Sequence, residues 1–369
     1  MPEGPARELY LKTLDCKEYW PLIKCPVMFL GATNDFNSPM EFVIRGFRSL
    51  PNVDQSAMSF TPHMNHRFTN DNVAARIRWF DAHLKKNFAF PKTAKAQLEL
   101  QTDSGIPKFT VRPDLSGPYE LESVKVFYGY DRDPRARFCR SAAVTREGDV
   151  FTADCPVMDV YGPLFVFANV TYKTPPLNMP RGYDGTSLLT VTSQCRQAYP
   201  HQLAEADVKA SGKRQRLIED FAHGWRDWSL VGTGHAEHWN YETHKVNDPA
   251  FFGPRGAALG LEIVTTAPNN TLAVVMDVDR WRGYTHRKPR RFTALIKLPT
   301  AGKHSLKLSI KQFVTPEGDV LKNYDFVTSL ILTPGQKERP DEVPLVWQGK
   351  VPTFANIRWI GGDFEARLH

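Results

Sequence analysis

Between Ile23 and Trp79 the sequence runs twice through the same succession: a short apolar segment, a polar loop and a helical pattern. No other stretch restricts the fold as strongly. Cys25 to Leu30 is apolar and closed by Gly31, which fits a strand buried on both faces, as in a parallel sheet. The loop A-T-N-D-F-N-S-P follows and places Asp35 just beyond the strand end. In open α/β sheets functional groups collect at the carboxyl ends of strands. Pro39 opens a helical pattern with Phe42, Val43, Phe47 and Leu50 on one face. Met58-Ser59-Phe60 is a second strand, leading into the loop T-P-H-M-N-H. Asn72 to Leu84 reads as an amphipathic helix with Val73, Ile77, Phe80 and Leu84 at helical spacing.

The pattern P-V-M-F-L-G-x-x-x-D-x-x-x-P, with a histidine at 66 in a loop before a last helix, resembles the C-terminal half of an α/β-hydrolase catalytic domain. The resemblance is closest to dienelactone hydrolase, acetyl xylan esterase and prolyl-oligopeptidase-like members. In that family the triad runs Ser, Asp, His along the chain. The resemblance makes Asp35 the acid and His66 the base. A histidine activates a hydroxyl only when a carboxylate fixes its tautomer and stabilises the imidazolium. An aspartate after a strand also serves as a turn former or helix cap, and His63 is the alternative base.

The nucleophile elbow G-x-S-x-G occurs nowhere in the chain, and no serine precedes Asp35. The resemblance therefore implies an N-terminally truncated hydrolase or a remnant of one, lacking the oxyanion loop. Such a chain alone is expected to be inactive, since an acid–base pair without a nucleophile has nothing to activate. It is also expected to expose an apolar strand edge that favours self-association. The native form implied is a secreted or periplasmic serine ester hydrolase acting on acylated carbohydrate or a related ester.

At 369 residues the chain has room for two to four domains. No apolar run approaches the ~20 residues of a membrane helix, and Met1 to Tyr10 lacks the basic start and apolar core of a signal peptide. Five cysteines, Cys16, Cys25, Cys139, Cys155 and Cys195, form neither a disulfide framework nor a zinc motif. They read as unpaired packing residues. Cys139 and Cys155, which flank a hairpin turn at Glu147-Gly148, are the pair close enough for a bridge.

Beyond a linker at 88–95 the periodicity changes to two. Strands are expected at Val124 to Tyr128, in a hairpin of Arg137 to Val144 with Val150 to Val157, and at Leu164 to Tyr172 and Leu188 to Thr192. Short strands with turn signals at this interval predict an immunoglobulin-like β-sandwich over 91–200. Residues 201–215 read as a connector. From 216 to 369 a further all-β unit is expected, with strands at Leu259–Thr265, Leu272–Val278, Phe292–Leu298, His304–Ile310, Val327–Leu332 and Asn356–Ile360. Its size suits a jelly roll. The predicted fold class is thus multi-domain α/β plus all-β: a partial α/β-hydrolase sheet over 1–90, an immunoglobulin-like sandwich and a jelly-roll sandwich.

The last unit resembles galactose-binding-like, carbohydrate-binding modules. It holds six of the eight tryptophans and most of the formal charge of +7, concentrated in R-W-R-G-Y-T-H-R-K-P-R-R at 280–291. Sugars stack their C–H faces on indole rings, so Trp281 and Tyr284, with Arg280 and Arg282, are the ligand-binding candidates for a polysaccharide. A solvated loop and core-packed tryptophans, above all Trp225, Trp228 and Trp359, are the plainer alternatives. No nucleic-acid-binding motif accompanies the basic run. His235, Glu237, His238 and His244 lack convincing metal spacing. The resemblance implies no catalytic cofactor, and at most a structural calcium at Asp220 and Asp248.

Overall fold

The computed structural model describes residues 4–230, 239–282, 286–335 and 346–364, and the chain is mainly β. It divides into two compact units. The first comprises Met1–Pro62, His66–Gly129 and Cys139–Ser211; the second comprises His63–Asn65, Tyr130–Phe138 and Gly212–His369.

In the first unit α1 (Pro5–Thr13) precedes β1 (Met28–Ala32), α2 (Met40–Arg48), β2 (Ala57–Thr61) and α3 (Asn70–Phe80). β1 and β2 pair in parallel, from Met28 opposite Ala57 to Ala32 opposite Thr61. The helix between them is the crossover that a parallel pair requires. β2 alternates in character. Met58 and Phe60 pack with Met40, Ile44, Phe47 and Leu50 of the α2 region, whereas Ser59 and Thr61 hydrogen-bond to Asn72 of α3. One helix therefore covers each face.

The remaining strands of this unit are β3 (Lys95–Glu99), β4 (Lys108–Arg112), β5 (Glu120–Gly129), β6 (Arg140–Ala142), β7 (Val144–Glu147), β8 (Val150–Asp154), β9 (Leu164–Leu177), β10 (Thr186–Thr192) and β11 (Arg196–Ala198). A four-stranded sheet has the order β3-β4-β8-β7. A seven-stranded sheet runs β1-β2-β10-β9-β5-β6, with β11 on β9. The sequence separates 1–90 from 91–200, but here both segments share one sheet, because β2 meets β10 directly. That seam has a single backbone register pair, Thr192 opposite Met58. Side chains supply the rest. Thr192 Oγ1 accepts from the Phe60 N–H at 2.8 Å and donates to Asn169 Oδ1 at 2.7 Å. Asn169 Nδ2 donates to the Phe60 carbonyl, and Ser59 Oγ donates to the Thr190 carbonyl.

Two helix faces differ from the sequence reading. The buried stripe of α2 is Met40, Ile44 and Phe47, and Phe42 is exposed under the Arg45 guanidinium. On α3, Val73, Ala74 and Ala75 are buried while Phe80 and, beyond it, Leu84 are exposed. The small residues let the helix lie close on the sheet. Among the described residues none of the five cysteines forms a disulfide, and Cys139, Cys155 and Cys195 are buried.

In the second unit the strands are β12 (Leu217–Glu219), β13 (Ser229–Leu230), β14 (Tyr241–Thr243), β15 (Ala258–Thr265), β16 (Asn270–Val278), β17 (Arg290–Leu298), β18 (Gly302–Leu308), β19 (Val327–Pro334) and β20 (Thr353–Ile360). They form two antiparallel sheets, β12-β20-β15-β18 and β13-β14-β19-β16-β17. Alternate residues of both sheets, among them Leu259, Ile263 and Ile357 from one and Val274, Met276 and Leu330 from the other, meet in one core with Trp228, Trp239, Trp347 and Trp359. Four of the unit's six tryptophans thus pack inside, and Trp225 lies against the same core.

Candidate functional site

Asp35 ends the turn after β1 and is 3% exposed. Its Oδ1 accepts the backbone N–H groups of Asn37 at 2.8 Å and Ser38 at 3.0 Å. Its Oδ2 lies 3.0 Å from Nδ1 of His66, which leaves the loop after β2 with φ 55°. The two residues therefore stand beyond the carboxyl ends of adjacent parallel strands. An ionised carboxylate only accepts hydrogen bonds, so this contact puts the imidazole proton on Nδ1 and leaves the Nε2 lone pair as the basic site. The His66 side chain is 56% exposed, beside the ring of Phe36 at 5.9 Å. The arrangement is a rigid acceptor, an oriented imidazole and an accessible base.

His63 has a different setting. In the second unit it is buried and stacked on Phe138, with Nε2 3.8 Å from Asp227 Oδ1. Burial is the main cause that pushes its pKa down to about 4; Lys245, His244 and Arg226 add to the effect, and Asp227 opposes it. A neutral, enclosed imidazole cannot meet a substrate, and this separates it from His66. Around it lies a buried charge network. Lys245 Nζ donates to Glu219 Oε2 at 2.7 Å and pairs with Asp227 Oδ2 at 2.8 Å, and Trp228 Nε1 also donates to Glu219. Burial alone raises Asp227, but His63, Lys245 and Arg226 together hold it below the usual carboxylate range. Apart from His63, this cluster was not legible in the sequence, because its members come together from distant segments and sit in ordinary local patterns.

The basic run is mostly paired internally. Arg280 meets Asp277 at 2.8 Å, and Arg291 makes two hydrogen bonds to the same carboxylate. Burial raises Asp277, and Arg291 and Arg280 outweigh it, leaving its pKa low. Arg287 pairs with Asp279 and Arg290 with Asp319. Arg282 turns inward, its side chain 11% exposed, to Asp131 and Asn247. Trp281 is half-buried, with the Arg135 and Arg280 guanidinium groups 4.9 and 5.1 Å from its ring centre. Of the four ligand-binding candidates, then, Arg282 is a structural strut, Arg280 and Trp281 are partly exposed, and Tyr284 lies outside the described residues. His235, Glu237 and His238 lie outside them too.

His244 Nδ1 is 2.7 Å from the Thr328 carbonyl oxygen. Asp220 and Asp248 each accept a backbone N–H two residues on, from Ala222 and Ala250. Among the described residues no three His, Cys, Asp or Glu side chains gather as a metal site, and no helix is long and apolar enough to cross a membrane.

No protein-family model matches the chain, and no curated protein matches it. Among solved structures one similar chain is a β-sandwich carbohydrate-binding module, described as "Structural basis for the promiscuous specificity of the carbohydrate-binding modules from the beta-sandwich super family". It is 9% identical over 73% of this chain and 98% of its own, with a TM-score of 0.22.

Proposed function

We propose that the first unit carries the acid–base pair of a serine-type ester hydrolase of the α/β-hydrolase kind, with Asp35 the acid and His66 the base. One observation carries the reading: a buried carboxylate, fixed by two backbone amides, faces an exposed imidazole at 3.0 Å. In this reading His66 Nε2 takes the proton of an attacking hydroxyl, and Asp35 stabilises the imidazolium. The substrate class is an ester, such as an acylated carbohydrate. No G-x-S-x-G turn supplies the nucleophile, so the chain by itself is expected to be without esterase turnover. ¹⁵N NMR tests the pair directly. His66 should appear as the Nδ1–H tautomer and change to Nε2–H in Asp35→Ala. An Nε2–H tautomer in the wild type overturns the assignment. Hydrolysis of an aryl acetate should equal the buffer control, and a His66-dependent rate would reveal a hydroxyl outside the usual turn.

A second reading is favoured by the second unit: a polysaccharide-binding β-sandwich. Its chain passes from sheet to sheet in the order of a jelly roll, the architecture read here as galactose-binding-like. The β3–β11 region is read as immunoglobulin-like. Retardation of the chain in gels carrying polysaccharide, lost in Trp281→Ala, is the result expected if the exposed part of that ring stacks on sugar. Unretarded wild type removes the reading.

A further inference from the structure

The second unit has an open cleft of about 870 Å³, built from the segment before β12, the loop before β15 and the loop before β19. That volume is within the range of ~300–1,000 Å³ usual for ligand sites. Three cations line it: Arg214, Arg255 and Lys322. Among the described residues none of them pairs with a carboxylate, in contrast to the five arginines of the 280–291 run. Nη1 of Arg214 is buried without a hydrogen-bond partner among the described residues, and Arg255 and Lys322 are exposed. The lining holds one acid, Asp325, so the wall carries a net excess of positive charge.

Three aromatic residues share the lining with Ile310, Asn323 and two glycines. Tyr324 is 2% exposed and fixed, its hydroxyl donating to the Ala257 carbonyl and its ring against Trp359. Phe326 is 38% exposed, and Phe252 is half-buried. Gly253 lets the chain lie on Tyr324, since a Cβ there would come within 2.6 Å of the ring. The Arg287 guanidinium lies 3.5 Å from the Phe326 ring centre, so the apolar surface offered is the ring edges of Phe326 and Phe252. Beside guanidinium and ammonium groups that pair with no carboxylate among the described residues, it matches a ligand with apolar patches and carboxylate or sulfate groups on its edge.

We infer that this cleft binds an acidic oligosaccharide, a chain of uronate or sulfated sugars. The inference rests on the carbohydrate-binding reading of the second unit and moves its centre from the Trp281 loop to Arg214, Arg255 and Lys322. Titration calorimetry of the full chain with an oligogalacturonate, a neutral dextran oligosaccharide of equal length and inorganic sulfate tests it. The oligogalacturonate should bind, and the dextran oligosaccharide should bind far more weakly. Affinity should fall about tenfold or more in Arg255→Ala/Lys322→Ala, as expected for loss of charge-assisted hydrogen bonds. Arg290→Ala, which removes a paired cation elsewhere on the unit, should leave it unchanged. An undiminished affinity in the double variant, or an equal loss in Arg290→Ala, overturns the cleft. A loss confined to Trp281→Ala overturns the cleft and keeps the carbohydrate reading. Sulfate bound as tightly as the oligogalacturonate replaces the sugar site with a simple anion site. Binding of neither glycan removes the carbohydrate reading itself.

Discussion

His63 and His66 are separated by two residues and have opposite chemistry. The exposed His66 keeps a usable lone pair, whereas His63 is enclosed and held neutral. Between His63's folded pKa of about 4 and the ordinary 6.5, the unfolded chain binds a proton that the folded chain does not. Stability attributable to His63 is therefore full above pH 6.5, falls as the pH drops from 6.5 to 4, and levels off below that. The total is about 3 kcal/mol. His63→Asn removes the titrating ring and suits the backbone, since φ is 61° there and asparagine tolerates the left-handed region. Urea midpoints measured from pH 7.5 to pH 4 should fall less steeply for the variant than for the wild type. Parallel slopes would mean that His63 is hydrated in solution.

At the scale of elements, the seam between β2 and β10 explains why two segments that look separate in sequence share a sheet. Thr192→Val keeps the side-chain volume and removes both hydrogen bonds of the hydroxyl. It leaves the Phe60 N–H and Asn169 Oδ1 buried and short of a partner, so a loss of about 2 kcal/mol is expected. Equilibrium denaturation measures it, and a change within experimental error would show that water reaches the seam. The seam was not legible in the sequence, because serine, threonine and asparagine there read as ordinary strand and loop residues. By contrast, the long strands of the second unit were legible. Leu272 to Val278 and Val327 to Leu332 are apolar runs with turns on either side, and β16 and β19 occupy them. The helix faces were only partly so. Phe42, Phe80 and Leu84 drew the apolar stripe toward large side chains, while the buried contacts are made by Met40, Ile44 and the alanines of α3. Asp35 and His66 could be found because strand, loop and helix signals framed each of them. The cleft cations could not, since only the fold gathers positions 214, 255 and 322.

At the scale of the whole chain, the second unit is not a continuous stretch. It takes in His63–Asn65 and Tyr130–Phe138. Asp131 accepts from Asn247 and Arg282, the Ala136 carbonyl accepts from Asn247, and the Phe138 ring lies 5.7 Å from Lys245 Nζ and 6.0 Å from the ring of Phe251. A fragment of residues 212–369 lacks Asp131, Ala136 and Phe138, so Asn247 loses two hydrogen-bond acceptors, Arg282 loses its carboxylate, and Lys245 and Phe251 lose a ring contact. Its melting temperature should fall below that of the same unit in the full chain by roughly 10 °C, the shift that a few kcal/mol gives in a domain of this size. Scanning calorimetry compares the two, and equal transitions would make 130–138 a passive attachment.

The pairing of the arginines within 280–291 has a consequence for how the protein looks from a distance. A bare cluster of six cations acts as a point source whose attraction reaches to the Debye length, about 8–10 Å at ordinary salt. Asp277, Asp279, Asp131 and Asp319 stand beside five of those six cations, the arginines, so most of the run becomes a set of short dipoles, and dipole fields decay faster than those of single charges. The chain's formal +7, which already counts these aspartates, is therefore not concentrated in the 280–291 run as the sequence alone suggests. The protein should leave a sulfopropyl cation-exchange column, which carries no sugar acid for the cleft, at lower salt than a protein of equal net charge with unpaired arginines, and late elution would show that the pairs open in water.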